Sequence, residues 1–314
     1  MKKGLLFLVS LIWILPAIAQ SKDYFKAAPA TPEVKGSFPT FYHKRARKAA
    51  KNINTYLQLA VTKNLVDAGT DSMVTGAWTY TTAINNPRAL SISFQAADEP
   101  EKHFLFNAAT GSVMSIQDVF TVNGIAYIKR QMVRKRQEYA ADGLYRFKPE
   151  GQGKCFKADI QEFLLTPDSL YIYPAHCFNM DSIGNVNPAP EKIAFSLATV
   201  RQYLSEYGEV ILGVAKKPKL KKLRSNSVAG LYQGMIDQEE VILQLDAPFE
   251  KFLNGTLYFT QSKQSLPFEG LLKNNRLEIS NKAERLTLNI YPGAISGQKK
   301  AGNKVLSNFT LNRQ

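Results

Sequence analysis

The chain has 314 residues, is 45% hydrophobic and 21% charged, and carries a formal charge of +14. This is the composition of an ordinary globular chain, and the length exceeds what one small core usually takes, so two domains are expected. Three scattered histidines and two cysteines, Cys155 and Cys177, 22 positions apart, match none of the usual zinc-ligand spacings, so neither a metal nor a cofactor is expected.

The first nineteen residues read as a secretory signal peptide: Lys2 and Lys3, an apolar run from Gly4 to Pro16, and Ala17-Ile18-Ala19 with cleavage after Ala19. The run is shorter than the ~20 apolar residues of a membrane span, no later stretch approaches that length, and no transmembrane anchor is expected. The mature protein is expected to be periplasmic or secreted. Loss of Lys2 and Lys3 from a chain of +14 leaves +12 on its side chains. A basic protein in that compartment meets no nucleic acid. Anionic glycans, lipid head groups or acidic proteins are its natural partners.

Residues 20–38, rich in Ala, Pro and Ser, read as a flexible leader. A helix is expected from about Pro39 to Leu65, with Ile53, Leu57, Ala60 and Val61 on one apolar face and a basic start, HKRARKAAK, that includes Lys48. Alternating strands follow. AWTYTTA sets Trp78 and Tyr80 on one face, LSISF sets Leu90, Ile92 and Phe94 together after an Asn85-Asn86-Pro87 turn, and HFLFN alternates again. A second helix starts near SIQD, where Ser115 and Asp118 suit a capping box. After a break near Asn123-Gly124, Ile125, Ile128 and Met132 continue its stripe. Lys129, Arg130, Arg134, Lys135 and Arg136 crowd its remaining surface.

CFKADIQEFLL, a turn at TPDS and LYIYPAHC form a hairpin. Thr166 and Pro167 lie midway between the cysteines, and thiols outside the cytoplasm tend to be oxidised, so a Cys155–Cys177 disulfide is expected. The adjacent His176 and Cys177 would point to opposite faces of a strand, so they make no nucleophile–base pair, and no catalytic residue is assigned. GQGK at 151–154 is too short for a phosphate loop. Asn179 and Asp181 belong to a loop turning at Gly184. Both suit local backbone hydrogen bonds, and both are ligand-contact candidates. SLATVRQYLSEYG reads as a closing helix. Helices and antiparallel strands without a βαβ rhythm indicate α+β.

FNAATGSVMSIQDVF (Phe106 to Phe120), the stretch from Phe163 to Leu204, and NINTYL in the first helix resemble the RsiV/PdaC-like extracellular domain over residues 39–212, about two thirds of the chain. Asn107 departs from the pattern, where Asp is common. The resemblance implies an extracellular module of the kind found in lysozyme-binding anti-sigma factors and beside envelope polysaccharide deacetylases. The deacetylase Asp-His-His cluster has no counterpart here.

Residues 214–227, with KKPKLKKLRSNS, read as a basic linker. From Val228 to the end, LYQGMI, VILQLDA, GTLYFTQ, LPFEGLL, RLEIS, RLTLNIY and VLSNFTL read as short strands of a small antiparallel barrel-like domain. LYQGMID…VILQLD…GTLYF…FEG is similar to a small β module at the ends of secreted Bacteroidota proteins. Tyr232, Tyr258 and Phe259 fill its core or line a ligand cup. The whole therefore reads as an antiparallel sheet with packed helices at 39–213, a linker, and a barrel-like domain at 228–314.

Two functional classes follow. One is a non-enzymatic envelope binding protein for a cell-wall glycan or a muramidase-like protein such as lysozyme, with Lys48, Arg130, Arg134, Lys135, Asn179 and Asp181 as contacts. A lysozyme-type partner is usually basic, like this chain, and would need a local acidic surface. The other is a glycan-acting hydrolase, or an accessory module of a deacetylase system. A hydrolase would pair carboxylates across a cleft, with Glu101, Asp118, Glu138, Asp181 and Glu191 available.

Overall fold

The computed structural model describes residues 23–29, 38–65, 78–95, 101–141, 160, 162–173, 192–215, 225, 227–248, 252–281 and 284–314. The expected signal peptide, Cys155, Cys177, Asn179, Asp181 and Glu191 lie outside them. Among the described residues no helix is long and apolar enough to cross a membrane.

The expected helix from Pro39 begins later. Pro39–Tyr42 is a strand, β2, paired antiparallel with β1 (Lys26–Pro29). Its aromatic and β-branched residues suit a ribbon, and Asn54 holds it there. The Asn54 side-chain amide donates to the Phe41 carbonyl at 2.8 Å, and its Oδ1 accepts from the Phe41 N–H at 2.8 Å. Helix α1 spans Arg47–Leu57 and passes into a π-helical turn over Gln58–Thr62. Ile53, Leu57, Ala60 and Val61 are all buried, as their spacing predicts.

Strands β3 (Thr79–Asn85), β4 (Ala89–Gln95) and β5 (Lys102–Asn107) form an antiparallel sheet with β4 at its centre. β4 is buried on both faces: Leu90, Ile92 and Phe94 join the cluster around α1, while Ala89 joins a second cluster. The Thr110-Gly111 turn then packs under α1. Gly111 has φ of 76°, and a Cβ there would stand 2.3 Å from the Ala49 carbonyl oxygen, so both conformation and space require glycine.

The capping box forms. Asp118 accepts from the Ser115 N–H at 2.8 Å at the start of α2 (Ile116–Val119). The break before α3 (Val122–Ala141) falls at Phe120-Thr121 rather than at Asn123-Gly124. Gly124 lies inside α3, and the close approach of Tyr203, whose Cβ would stand 2.6 Å from an added Cβ, favours glycine there. Strands β6 (Phe163–Leu165) and β7 (Ser169–Ile172) form the expected hairpin, and β8 (Ile193–Ser196) adds to it. Leu165 pairs with Leu170, so the hairpin is centred between Pro167 and Asp168, beyond the midpoint shared by the cysteines. The expected closing helix is broken into α4 (Leu197–Val200), a 3-10 turn and α5 (Glu206–Ile211), because Ser205 caps a new helix start.

Asn107 has a specific place here. Fully buried, it donates through Nδ2 to the Tyr207 hydroxyl at 2.6 Å, and its Oδ1 accepts from the Ala109 N–H. An aspartate could keep the second bond but could not donate the first.

The remaining strands are β9 (Gly230–Ile236), β10 (Glu239–Leu245), β11 (Phe252–Phe259), β12 (Gln264–Leu271), β13 (Arg276–Asn281), β14 (Glu284–Ile290), β15 (Ala294–Ala301) and β16 (Lys304–Arg313). They form an eight-stranded, nearly closed antiparallel barrel-like sheet, in the order β12-β11-β10-β9-β16-β15-β14-β13. Seven of the strands match expectation, and β15 is additional. Tight turns at Asp237-Gln238 and Asn274-Asn275 have positive φ at both central residues, the geometry that suits the twist of hairpins.

Val241, Leu243, Leu245, Leu257, Leu288 and Leu311 fill the barrel. Tyr232 is buried with them, whereas Tyr258 points outward into the cluster around α1 together with Ala229 and Leu231. Both tyrosines are core residues. Residues on either side of the expected linker therefore share one hydrophobic cluster. Hydrogen bonds add to it: Tyr56 donates to the Leu245 carbonyl at 3.0 Å, Thr256 to the Leu59 carbonyl at 3.1 Å, and Ser225 to Asp118 at 2.7 Å.

Candidate functional site

Two features combine shape with chemistry. The first is a recess of about 260 Å³ where the barrel meets the helix and small sheets. The end of α1 brings Tyr56 to it, the π-helical turn and its cap bring Ala60 and Lys63, β5 brings Lys102, His103 and Phe104, Glu162 stands just before β6, Asp246 just after β10, and β11 brings Asn254. Lys63 ends the π turn in the left-handed region, φ 59°, which folds its ammonium back onto the Ala60 carbonyl at 2.9 Å.

The electrostatics follow from enclosure. Glu162 and Asp246 are half-buried by surface area, but their carboxylates face the enclosed space. Desolvation lifts the Glu162 carboxyl to about 7, against a bond from the His103 N–H and with the Asp246 charge adding to the rise. Asp246 is also raised, again by desolvation, with Lys63 and its bonds from Gln244 and Tyr56 opposing. Burial, then Asp246, pushes the Tyr56 phenol well above its ordinary value. His103 moves the other way, to about 4, because burial disfavours its cation and Lys192 repels it. Its ring stacks on Tyr173 at 3.9 Å, and its Nδ1 lies 2.8 Å from Ser93 Oγ.

None of these groups was singled out from the sequence except Glu101, whose carboxylate approaches His103 Nε2 at 3.9 Å. Asp118 is spent on its capping box and on Ser225. Arg130 and Arg134 are exposed one turn apart on α3, with Arg134 paired to Glu138 at 2.9 Å, and Lys135 is half-buried nearby. Lys48 is exposed on α1. The two helices seat in different cores, Ala49 and Ile53 in one, Ile128 and Met132 in the other.

The second feature surrounds the approach to Lys48. A surface groove of about 590 Å³ is lined by Asp23, Tyr24, Lys26, Tyr42, His43, Lys44 and Arg45. Tyr24 and His43 stack at 4.1 Å, and Tyr42 is half exposed, at 50%. His43 Nδ1 accepts from the Ala46 N–H at 3.0 Å, which places the proton of the neutral ring on Nε2 as a donor. Among the described residues Lys44, Arg45, Arg47, Lys48 and Lys51 have no ion-pair partner. The basic run HKRARKAAK was legible; the tyrosines that β1 and β2 set beside it were not.

Among the described residues no group of three His, Cys, Asp or Glu side chains could hold a metal. No family model matches the chain, and no curated protein matches it significantly. Among solved structures, a protein of unknown function from the DUF3598 family of Nostoc punctiforme is similar at 8% identity, covering 76% of this chain and 88% of that one, with a TM-score of 0.19. A likeness that weak carries no argument about fold or function.

Proposed function

We propose that the protein is a non-enzymatic binding protein of the cell envelope, and that it takes an anionic envelope glycan along the groove of Tyr24, Lys26, Tyr42, His43, Lys44 and Arg45. The observation that carries this reading is the juxtaposition, in one open groove, of tyrosine faces and a histidine N–H donor with cations that have no ion-pair partner among the described residues. Cations select the anion, and flat rings stack on sugar faces while their hydroxyls stay wet. The signal peptide and the RsiV/PdaC-like resemblance over residues 39–212 support an envelope setting. The surplus of positive charge on this face argues against a basic, lysozyme-type partner.

The test is co-sedimentation of the mature protein with cell-wall sacculi in ~0.1 M and ~1 M salt, since screening shortens from about 10 Å to about 3 Å over that range. Binding weakens at high salt. Replacing both Lys44 and Arg45 by Ala weakens it about tenfold, as two exposed charge contacts of ~0.5–1 kcal/mol each require. Salt-insensitive binding that survives both substitutions refutes this assignment.

A glycan-acting hydrolase is the second reading. It is favoured by one observation: Glu162 and Asp246 share a recess, and one carboxyl is held protonated near neutrality, as a general acid requires. The recess has room for one small molecule and not for a chain of sugars. Release of soluble fragments from sacculi by purified protein, abolished by Glu162→Gln, would establish the hydrolase instead.

A further inference from the structure

We propose that the recess between the π-helical turn, β5 and the β10–β11 connection is a second binding site, for a small molecule bearing a primary ammonium group held between Glu162 and Asp246. It is independent of the basic groove and of the glycan reading.

The lining has a surplus of acceptors. Glu162 Oε2 accepts one bond, from the His103 N–H at 3.3 Å, and Oε1 accepts none among the described residues. Asp246 Oδ1 accepts from Gln244 at 2.7 Å and from Tyr56 at 3.4 Å, while Oδ2 accepts none among them. Asn254 Oδ1 is buried without a partner among the described residues. His103 is 8% exposed, and its Nε2 is buried without a hydrogen bond, Glu101 standing beyond bonding range at 3.9 Å. Its Nδ1 shares a hydrogen bond with Ser93 Oγ at 2.8 Å. A buried acceptor without a donor, such as Asn254 Oδ1, is costly, and an ammonium brings three donors and a charge that compensates the carboxylates.

The lining also holds two cations. Lys63 donates to the Ala60 carbonyl, and Lys102 lies over the Trp78 ring at 5.0 Å. Lys102 lowers both carboxyls and Lys63 lowers that of Asp246, yet desolvation prevails. The charged and titratable groups facing Glu162 are thus Glu101 before β5, Lys102 and His103 on β5, Asp246 beyond β10, and Tyr56 on α1; Lys63, after the π turn, acts on Asp246, and Lys192, before β8, acts on His103. Tyr56 and Phe104, ring centroids 5.9 Å apart, give the ligand's carbon skeleton an aromatic wall.

The experiment is ligand-observed nuclear magnetic resonance of the mature protein with ethanolamine and, as its uncharged counterpart, ethylene glycol. Ethanolamine, cationic throughout, binds, and ethylene glycol binds at least about tenfold more weakly. Ethanolamine affinity rises about tenfold from pH 6 to pH 8, the ratio of ionised fractions for a carboxyl titrating at about 7. Glu162→Gln removes that pH dependence, and Asp246→Asn weakens binding. Circular dichroism melts show that each variant is folded, and a second variant stands where one fails. Lys44→Ala with Arg45→Ala leaves ethanolamine binding unchanged. Equal binding of the two probes, absence of ethanolamine binding, or binding untouched by both acidic substitutions overturns the proposal.

Discussion

Desolvation acts on Glu162 and His103 in opposite senses, and the two signs give a pH prediction. The folded carboxyl of Glu162 titrates at about 7 against an ordinary 4.5. The stability this confers is fully present below pH 4.5 and is lost as pH rises through 7. His103 titrates at about 4 against 6.5, so its contribution is fully present above pH 6.5 and is lost as pH falls through 4. Between pH 4.5 and 6.5 the two slopes oppose, and from 6.5 to 7 Glu162 acts alone. Glu162→Gln removes one slope. Relative to the parent it should gain stability progressively from pH 4.5 to 7 and then level off, by about 3 kcal/mol. Melting curves across that range check it, and a pH-independent difference would show that the carboxyl does not titrate there.

At the scale of elements, the π turn and the Thr110-Gly111 turn are both set by what packs on them. Thr256→Val removes the hydroxyl bonded to the Leu59 carbonyl and should cost about 1 kcal/mol. Gly111→Ala must find room against α1 at positive φ and should cost more, about 2 kcal/mol or above. Chemical denaturation of the two variants ranks them, and the reverse order would mean that α1 shifts freely over the turn.

The elements legible in the sequence are those whose pattern is local. Leu90, Ile92 and Phe94 alternate, Asn274-Asn275 turns, and Ser115 and Asp118 cap. β15 escaped because its inward positions include Gly297, where a Cβ would meet the Phe309 ring at 2.3 Å, so its partner fills the space its own side chain would mark. The local pattern places Pro39–Tyr42 in the helix because its partner strand and Asn54 are remote. The basic groove was half legible, through its run of cations. The recess was not, since Glu162 and Asp246 each stand at a strand end, where an acid is unremarkable, and only the fold brings them to one recess.

At the scale of the molecule, the shared cluster around α1 decides how the chain comes apart. Ala229, Leu231 and Tyr258 from the barrel are buried with Ile53, Tyr56 and Leu57. Residues 39–213 and 228–314 should therefore unfold in one transition, and Tyr258→Ala should lower that single midpoint with a loss of about 3 kcal/mol or more. Calorimetry with two resolved peaks would show instead that each part holds its own core.

The strand order of the barrel has a further consequence. Arg313 on β16 donates to the carbonyls of Ser227, Ala229 and Pro292, fastening the ring where β9 meets β16, while β12 and β13 stand at the two ends of the sheet and are joined through the Lys273–Arg276 turn. The covalent chain is thus continuous where the sheet ends, and the sheet is continuous where the chain is most distant. A break at Asn274-Asn275 would leave a four-stranded piece, β13 to β16, still seated on β9 by ladder, core and guanidinium clamp. The barrel is in this sense already a heterodimer of two meanders, and the turn is a tether that keeps their concentration high.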